Sequence, residues 1–313
     1  MNYTIKNSIN NLEKLLDPIK AYLKDSSEEL FVIRCLLEKD TSDKTKKALI
    51  SDIKCILHHF KEATGEDFAF NRLTARDITD YKRYCIEDCK YSVNTTNRKL
   101  INLRNFCKTA VEEGKLTANP AKDIKLLPSQ PLAPKALPKP ELRKLLKEVE
   151  IRGNERDLLI VEMLSGAGFR VSELANMTIP AISITERQGV ATVINGKGGK
   201  TRQVPLNNHI RQLLSEYIEK NKLEDRLFIG QRGALTTIAF NKIIDFYSKK
   251  AGIKCHPHTL RHTFAYNFLE QNKGDIVGLS QILGHSNLNT TAIYTQNRLE
   301  DLQNKVENMI GII

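Results

Sequence analysis

The chain has 313 residues, enough for about two domains, with 48 Lys and Arg against 37 Asp and Glu, a net charge of +11 and 41% hydrophobic residues. It holds no run of about 18 apolar residues, and its start, MNYTIKNSINNLEKLL, lacks the apolar stretch of a signal peptide, so a cytoplasmic protein with no membrane partner is expected. The basic excess suits a polyanion such as DNA or RNA, although charge alone does not identify the partner. The six cysteines, at 35, 55, 85, 89, 107 and 255, form no CxxC pair and read as reduced thiols.

Residues 1–27 hold few apolar anchors and read as an N-terminal extension of unassigned role. From 28 to 125 the hydrophobic period is helical. KALISDIKCILHHFKEATG stops at Gly65, and TARDITDYKRYCIEDC opens with Thr74 as N-cap and Asp77 three residues on. NTTNRKLINLRNFCKTAVEEG stops at Gly114 and places Leu100, Leu103, Cys107, Ala110 and Val111 on one face. Arg98, Asn102, Asn105 and Thr109 share the opposite face, flanked by Lys99, Arg104 and Lys108. Such a stripe is either an ordinary solvated face or one that lies in a DNA groove, where arginine pairs with guanine or phosphate and asparagine with adenine.

LLPSQPLAPKALPKPELRKLL, residues 126–146, has five prolines, so 126–139 reads as an extended linker in which Lys135 and Lys139 could follow a phosphate backbone. A second domain, 140–313, follows. LLIVEMLSGAG is apolar nearly all round and predicts a buried helix, with FRVSELANM a short helix after it. AISIT, GVATVIN and TRQVPL predict three strands, with GKGGK as the turn between the last two. That turn is not a P-loop, so no nucleotide cofactor is expected. Helices are predicted at 207–222, 236–251, 258–272, 275–283, around 290–295 and at 299–310.

Four stretches could carry chemistry. In GAGFRVSEL, Arg170 needs a partner if buried, and Glu173 is placed to supply one; otherwise Arg170 faces a phosphate. In HPHTLRHTF, Leu260, Phe264 and Phe268 predict a buried stripe, with His258, Arg261 and His262 on another face. Histidines with an arginine suit an oxyanion better than a metal, and the spacing of Cys255, His256, His258 and His262 is too crowded for usual zinc ligation. In NGKGGKTR the hairpin offers Lys197, Lys200 and Arg202. In LGHSNLNTTAIYT, His285 ends a helix and Tyr294 follows nine residues later, with the polar run NLNTT expected to keep the tyrosine segment at the surface. Together these are the parts needed to attack a phosphodiester with a tyrosine: arginines for the non-bridging oxygens, a proton donor for the leaving oxygen, and surroundings that activate the phenol.

These motifs, in this order and with TTNRKLINLRNFCKTAVEEGKLTANPAKDI before them, resemble the tyrosine recombinase (phage integrase) family, in the style of the Xer recombinases, over about residues 28–310. The resemblance implies a mainly α fold with a small antiparallel β-sheet in the C-terminal domain, forming a two-domain C-shaped DNA clamp. It implies Arg170 and Arg261 as phosphate-binding arginines, His258 as the acid–base histidine and His285 in the second histidine position. Tyr294 takes the nucleophile position, Glu173 supports Arg170, and Lys197 is the hairpin lysine, with Lys200 the fallback. Contacts to DNA are expected from Arg98, Asn102, Asn105, Lys135, Lys139, Lys200 and Arg202. Phe169 stands where the family more often has leucine, an apolar exchange. The implied reaction is strand exchange between two duplex sites through a 3′-phosphotyrosyl bond, without ATP, metal or cofactor. The implied assembly is a homotetramer on two DNA duplexes, with room for an accessory protein. The apolar stripe Leu299, Leu302, Val306, Met309, Ile310 packs on its own domain or on a neighbouring protomer.

Overall fold

The computed structural model describes residues 16–23, 27–38, 43–128, 135–194, 201–285 and 288–294. The chain forms two compact units, Met1–Gln130 and Pro131–Ile313, each with its own apolar core.

The first unit is helical: α1 (Ser27–Glu38), α2 (Asp43–Thr64), α3 (Ala75–Glu87) and α4 (Val93–Glu112). Thr74 and Asp77 form the predicted capping box of α3, each side chain accepting from the other's backbone N–H. Phe68, Phe70 and Phe106 pack edge-on and tilted at the centre of the core. Helix α4 buries more than the sequence stripe suggests. Lys99 and Thr109 are buried with the apolar face. For Lys99 the cause is Asp52 of α2, which is fully buried and gathers Arg98, Lys99 at 3.1 Å and Asn102 at 2.6 Å. A buried carboxylate is tolerable only when paired and hydrogen-bonded, and half of the polar stripe serves that need. Asn105 is exposed, and the Arg98 side chain is 48% exposed.

In the second unit α5 (Lys139–Arg152) and α6 (Glu155–Gly166) precede the short α7 (Val171–Ala175). Helix α6 is buried through Leu159, Ile160, Val161, Met163 and Leu164, as its all-round apolar sequence requires. Strands β1 (Ile182–Ile184), β2 (Gly189–Ile194) and β3 (Thr201–Pro205) form one antiparallel sheet in the order β1-β2-β3, with Ala191 opposite both Ile182 and Val204. Ala191, Val193 and Val204 face the core. Helix α8 (Asn208–Asn221), a two-stranded ribbon of β4 (Ile229–Gly230) and β5 (Gly233–Ala234), and α9 (Thr237–Lys250) complete this layer. Helix α10 (Pro257–Gln271) packs against α6, and α11 (Ile276–Leu283) against α10 and β3. The short α12 (Asn289–Ala292) packs on α11. Among the described residues no helix is long and apolar enough to cross a membrane.

Two glycines shape the ground on which the site is built. Gly168 adopts φ +70°, and a Cβ there would lie 2.3 Å from Cδ1 of Phe264. Gly168→Ala is therefore expected to destabilise the second unit by about 2–4 kcal/mol through left-handed strain and overpacking, seen as a lower unfolding temperature in circular dichroism. Gly284 ends α11 at φ +65°, with His285 N–H bonding back to Ser280 O at 3.1 Å in a Schellman stop. A Cβ on Gly284 would meet Cδ of Arg202 at 2.6 Å, so this turn needs glycine for both conformation and room.

Candidate active site

Glu173, on α7, is the hub. Its carboxylate accepts from Arg170 Nη1 at 2.9 Å and from the Arg170 backbone N–H at 2.7 Å. It also accepts both terminal nitrogens of Arg202, each at 2.7 Å, in a bidentate pair, and Arg261 Nη1 stands 3.9 Å away. Burial alone would raise the Glu173 pKa, but the hydrogen bonds from Arg202 and the Arg170 backbone, with the charges of Arg202 and Arg261, hold it below the ordinary value. Three guanidinium groups thus share one carboxylate, leaving two positive charges in excess. Arg170 is the most open of the three, its side chain 33% exposed against 8% for Arg202 and 4% for Arg261.

Arg261 is buried on α10, although it lies on a different face from the expected stripe of Leu260, Phe264 and Phe268. Phe264 and Phe268 are only partly buried, whereas Leu260, Arg261, Thr263, Ala265 and Leu269 are buried, so α10 is enclosed on more than one side. The Arg261 guanidinium donates to Gly168 O, to Leu283 O at 2.8 Å and to His285 Nε2 at 3.3 Å. Burial and the nearby Arg170 push its pKa down to about 9, which leaves it cationic at neutral pH.

A guanidinium only donates, so His285 Nε2 is the acceptor and Nδ1 carries the proton. That proton points to Thr291 Oγ1, 2.8 Å away. Burial, then Arg261, Arg170 and Arg202, lower the His285 pKa to about 4, so the ring is neutral at pH 7. Thr291 is itself fully buried, and its carbonyl accepts the Tyr294 backbone N–H at 3.0 Å. One threonine thereby connects the histidine to the tyrosine.

Tyr294 itself is 6% exposed, although its segment is expected at the surface. The polar run before it does bring the chain outward at Leu288 and Thr290, but the tyrosine ring turns in, edge-on to Tyr266 at 5.7 Å. Its hydroxyl lies 2.7 Å from His262 Nδ1. Burial raises the Tyr294 pKa, against the lowering pull of Arg261 and Arg170, so the phenol is protonated at rest.

The structure brings together Arg170, Glu173, Arg202, Arg261, His285 and Tyr294 through bonds or shared partners. His258 is exposed near the start of α10, its ring 6.5 Å from that of His262. Arg202, expected to contact DNA, is instead turned inward: besides Glu173 it holds Ile282 O at 2.7 Å, because β3 runs beside α11. Lys139 forms an exposed ion pair with Glu270 at 2.8 Å, and Lys135 is exposed. Lys197, Lys200 and the stretch from Leu299 to Ile310 lie outside the described residues. The sequence reading missed the contact of His262 with Tyr294 and the bridge made by Thr291. The first had a signal, since His262 shares a face with His258 and follows Arg261; the second had none. Among the described residues no cluster of three or more His, Cys, Asp or Glu is arranged to hold a metal, and no two cysteines form a disulfide.

The chain belongs to the phage integrase family, the tyrosine recombinases: the phage integrase family model matches residues 135–300, and the phage integrase SAM-like domain matches residues 29–126. The tyrosine recombinase XerA of Pyrococcus furiosus is 38% identical over 189 residues, which cover 57% of this chain and 65% of the relative, so the match spans just under two thirds of that protein. The tyrosine recombinase XerD of Oceanobacillus iheyensis is 30% identical over 281 residues, 85% of this chain and 93% of the relative. The fold is shared with the XerH site-specific recombinase bound to difH substrate, at TM-score 0.68 and 20% identity over 96% of this chain and 97% of that one. It is shared also with a lambda integrase tetramer bound to a Holliday junction, at TM-score 0.69 and 19% identity over 83% of this chain and 77% of that one.

Proposed function

We propose that the protein is a site-specific DNA recombinase that cleaves and rejoins DNA through a 3′-phosphotyrosyl intermediate. One observation carries the reading: a cationic cluster with two charges in excess lies near enough to a buried tyrosine for the charges of Arg261 and Arg170 to act on its hydroxyl. A phosphodiester entering beside Arg170 and Arg261 finds donors for its non-bridging oxygens, and these donors stabilise the charge that builds on them during attack. Tyr294 Oη forms a bond to the phosphorus, the bond to the 5′ oxygen breaks, and that oxygen leaves as a 5′-hydroxyl. The ester keeps the bond energy, so a 5′-hydroxyl from a second duplex displaces the tyrosine without ATP. Lys197, or Lys200 in its place, supplies the leaving group's proton, and His258 is the acid–base histidine of the resemblance. Among the residues expected to contact DNA, Arg98 and Asn105 of α4, Lys135 and Lys139 are exposed, which leaves them open to such contacts.

Four protomers on two duplexes are the assembly this chemistry calls for, and the apolar stripe of Leu299–Ile310 is suited to dock protomers together. The biological setting is chromosome dimer resolution, or the integration, excision or resolution of a mobile element, within the cytoplasm. A duplex site is first selected from random sequence by binding to the protein, then nicked near the cleavage point so that the 5′ fragment escapes. A covalent protein–DNA adduct is expected on it in the presence of EDTA. Absence of adduct, or a strict need for a divalent metal, would overturn the reading. Recombination of a plasmid with two sites separates a recombinase from an enzyme that only relaxes supercoils.

A further inference from the structure

We propose that His262 is a further catalytic residue, the group that takes the Tyr294 phenol proton as the tyrosine attacks phosphorus. The proposal rests on the recombinase reading above and adds a role that the resemblance does not assign.

The geometry carries it. His262 Nδ1 is 2.7 Å from Tyr294 Oη, within the range required of a general base and the proton it removes. The two rings stand 5.5 Å apart and tilted by 50°, which sets the ring nitrogen beside the hydroxyl. His262 follows Arg261 directly on α10, so base and phosphate-binding arginine ride on one rigid element. The groups around His262 are the same-helix His258 and Arg261 and, across from them, Tyr294, against which Tyr266 of the same helix lies edge-on. Burial, His258 and Arg261 all lower the His262 pKa, so the imidazole is neutral at pH 7. Tyr294 is protonated, so the phenol donates and Nδ1 accepts, with the ring proton on Nε2. In the step, the O–H bond of Tyr294 breaks and an Nδ1–H bond forms. Oη bonds to phosphorus, the phosphorus–5′-oxygen bond breaks, and the departing oxygen takes a proton from the hairpin lysine. The imidazolium returns its proton to Oη when a 5′-hydroxyl reverses the reaction. His285 cannot serve here, because both its nitrogens are committed, to Arg261 and Thr291.

The test compares adduct formation on the selected nicked duplex with the same duplex carrying sulfur for the 5′ bridging oxygen at the scissile phosphate. A thiolate leaves without a proton donor, so sulfur cures defects on the leaving side and not on the nucleophile side. His262→Ala is expected to form adduct roughly 10²–10⁴-fold more slowly than wild type. The defect should persist on the sulfur substrate and be partly relieved by added imidazole. His262→Gln, which keeps a polar group near Oη but takes no proton, should share the defect while binding the duplex as wild type does. An unchanged or faster rate in His262→Ala would overturn the proposal and make the contact a latch. So would rescue by sulfur, or a wild-type rate in His262→Gln. If wild type itself forms no adduct, the recombinase reading falls and this proposal with it.

Discussion

Tyr294→Phe is expected to abolish the covalent adduct and strand exchange while leaving DNA binding intact. The substitution removes one oxygen, the hydroxyl that stands 2.7 Å from His262 Nδ1. Loss of the attacking group in a covalent mechanism costs on the order of 10⁶-fold, because the remaining residues stabilise a step that no longer begins. The fold should survive. The ring keeps its contact with Tyr266 and its place in the cluster of Ala265, Leu269, Leu279 and Leu283, and the lost hydrogen bond is worth about 1 kcal/mol. Gel shift on the selected duplex, adduct formation and thermal unfolding measured together separate these effects. An adduct that persists in Tyr294→Phe would mean that another residue attacks.

Arg261→Ala should damage both activity and stability. Its guanidinium ties Gly168 O, Leu283 O and His285 together, and all three lose their partner at once. Leaving these buried acceptors unpaired costs about 1–3 kcal/mol each, offset in part by relief of the repulsion among the three arginines. A phosphoryl-directed arginine is worth roughly 10³–10⁵ in rate. Arg261→Lys separates the two. It restores the positive charge, but a single ammonium cannot reproduce a planar fork that reaches two carbonyls and a ring nitrogen. Adduct formation by Arg261→Lys is therefore expected to stay far below wild type even where its melting temperature recovers. A near-wild-type rate in that variant would show that charge alone suffices.

Much of this site is local in sequence, which is why it could be read there. Arg170 and Glu173 are three residues apart, and a carboxylate at that spacing returns to the helix start. His258, Arg261 and His262 share one helix, and Gly284 announces a helix end. The three strands and the helix succession follow from period and turn chemistry in the same way. What the sequence hides is tertiary pairing of polar groups. Arg202 looks like a hairpin-tip cation beside two lysines, yet a bidentate contact 29 residues back along the chain buries it. Arg98 and Asn102 look like a solvated or groove-reading stripe until Asp52, about 50 positions away, is placed beneath them. The direction in which Tyr294 turns depends on Tyr266 and His262 across a loop, which no spacing rule encodes.

The Glu173 hub has a thermodynamic consequence. Three guanidinium groups around one carboxylate repel each other in a partly buried space where water screens them weakly. The second unit therefore folds with an unrelieved electrostatic load, and is less stable than its apolar core alone would make it. A bound anion discharges that load, so ligand and fold are linked: whatever phosphate oxygens enter the site also hold the unit more firmly in its native state. If the site takes DNA as proposed, DNA binding is expected to raise the unfolding temperature of the protein.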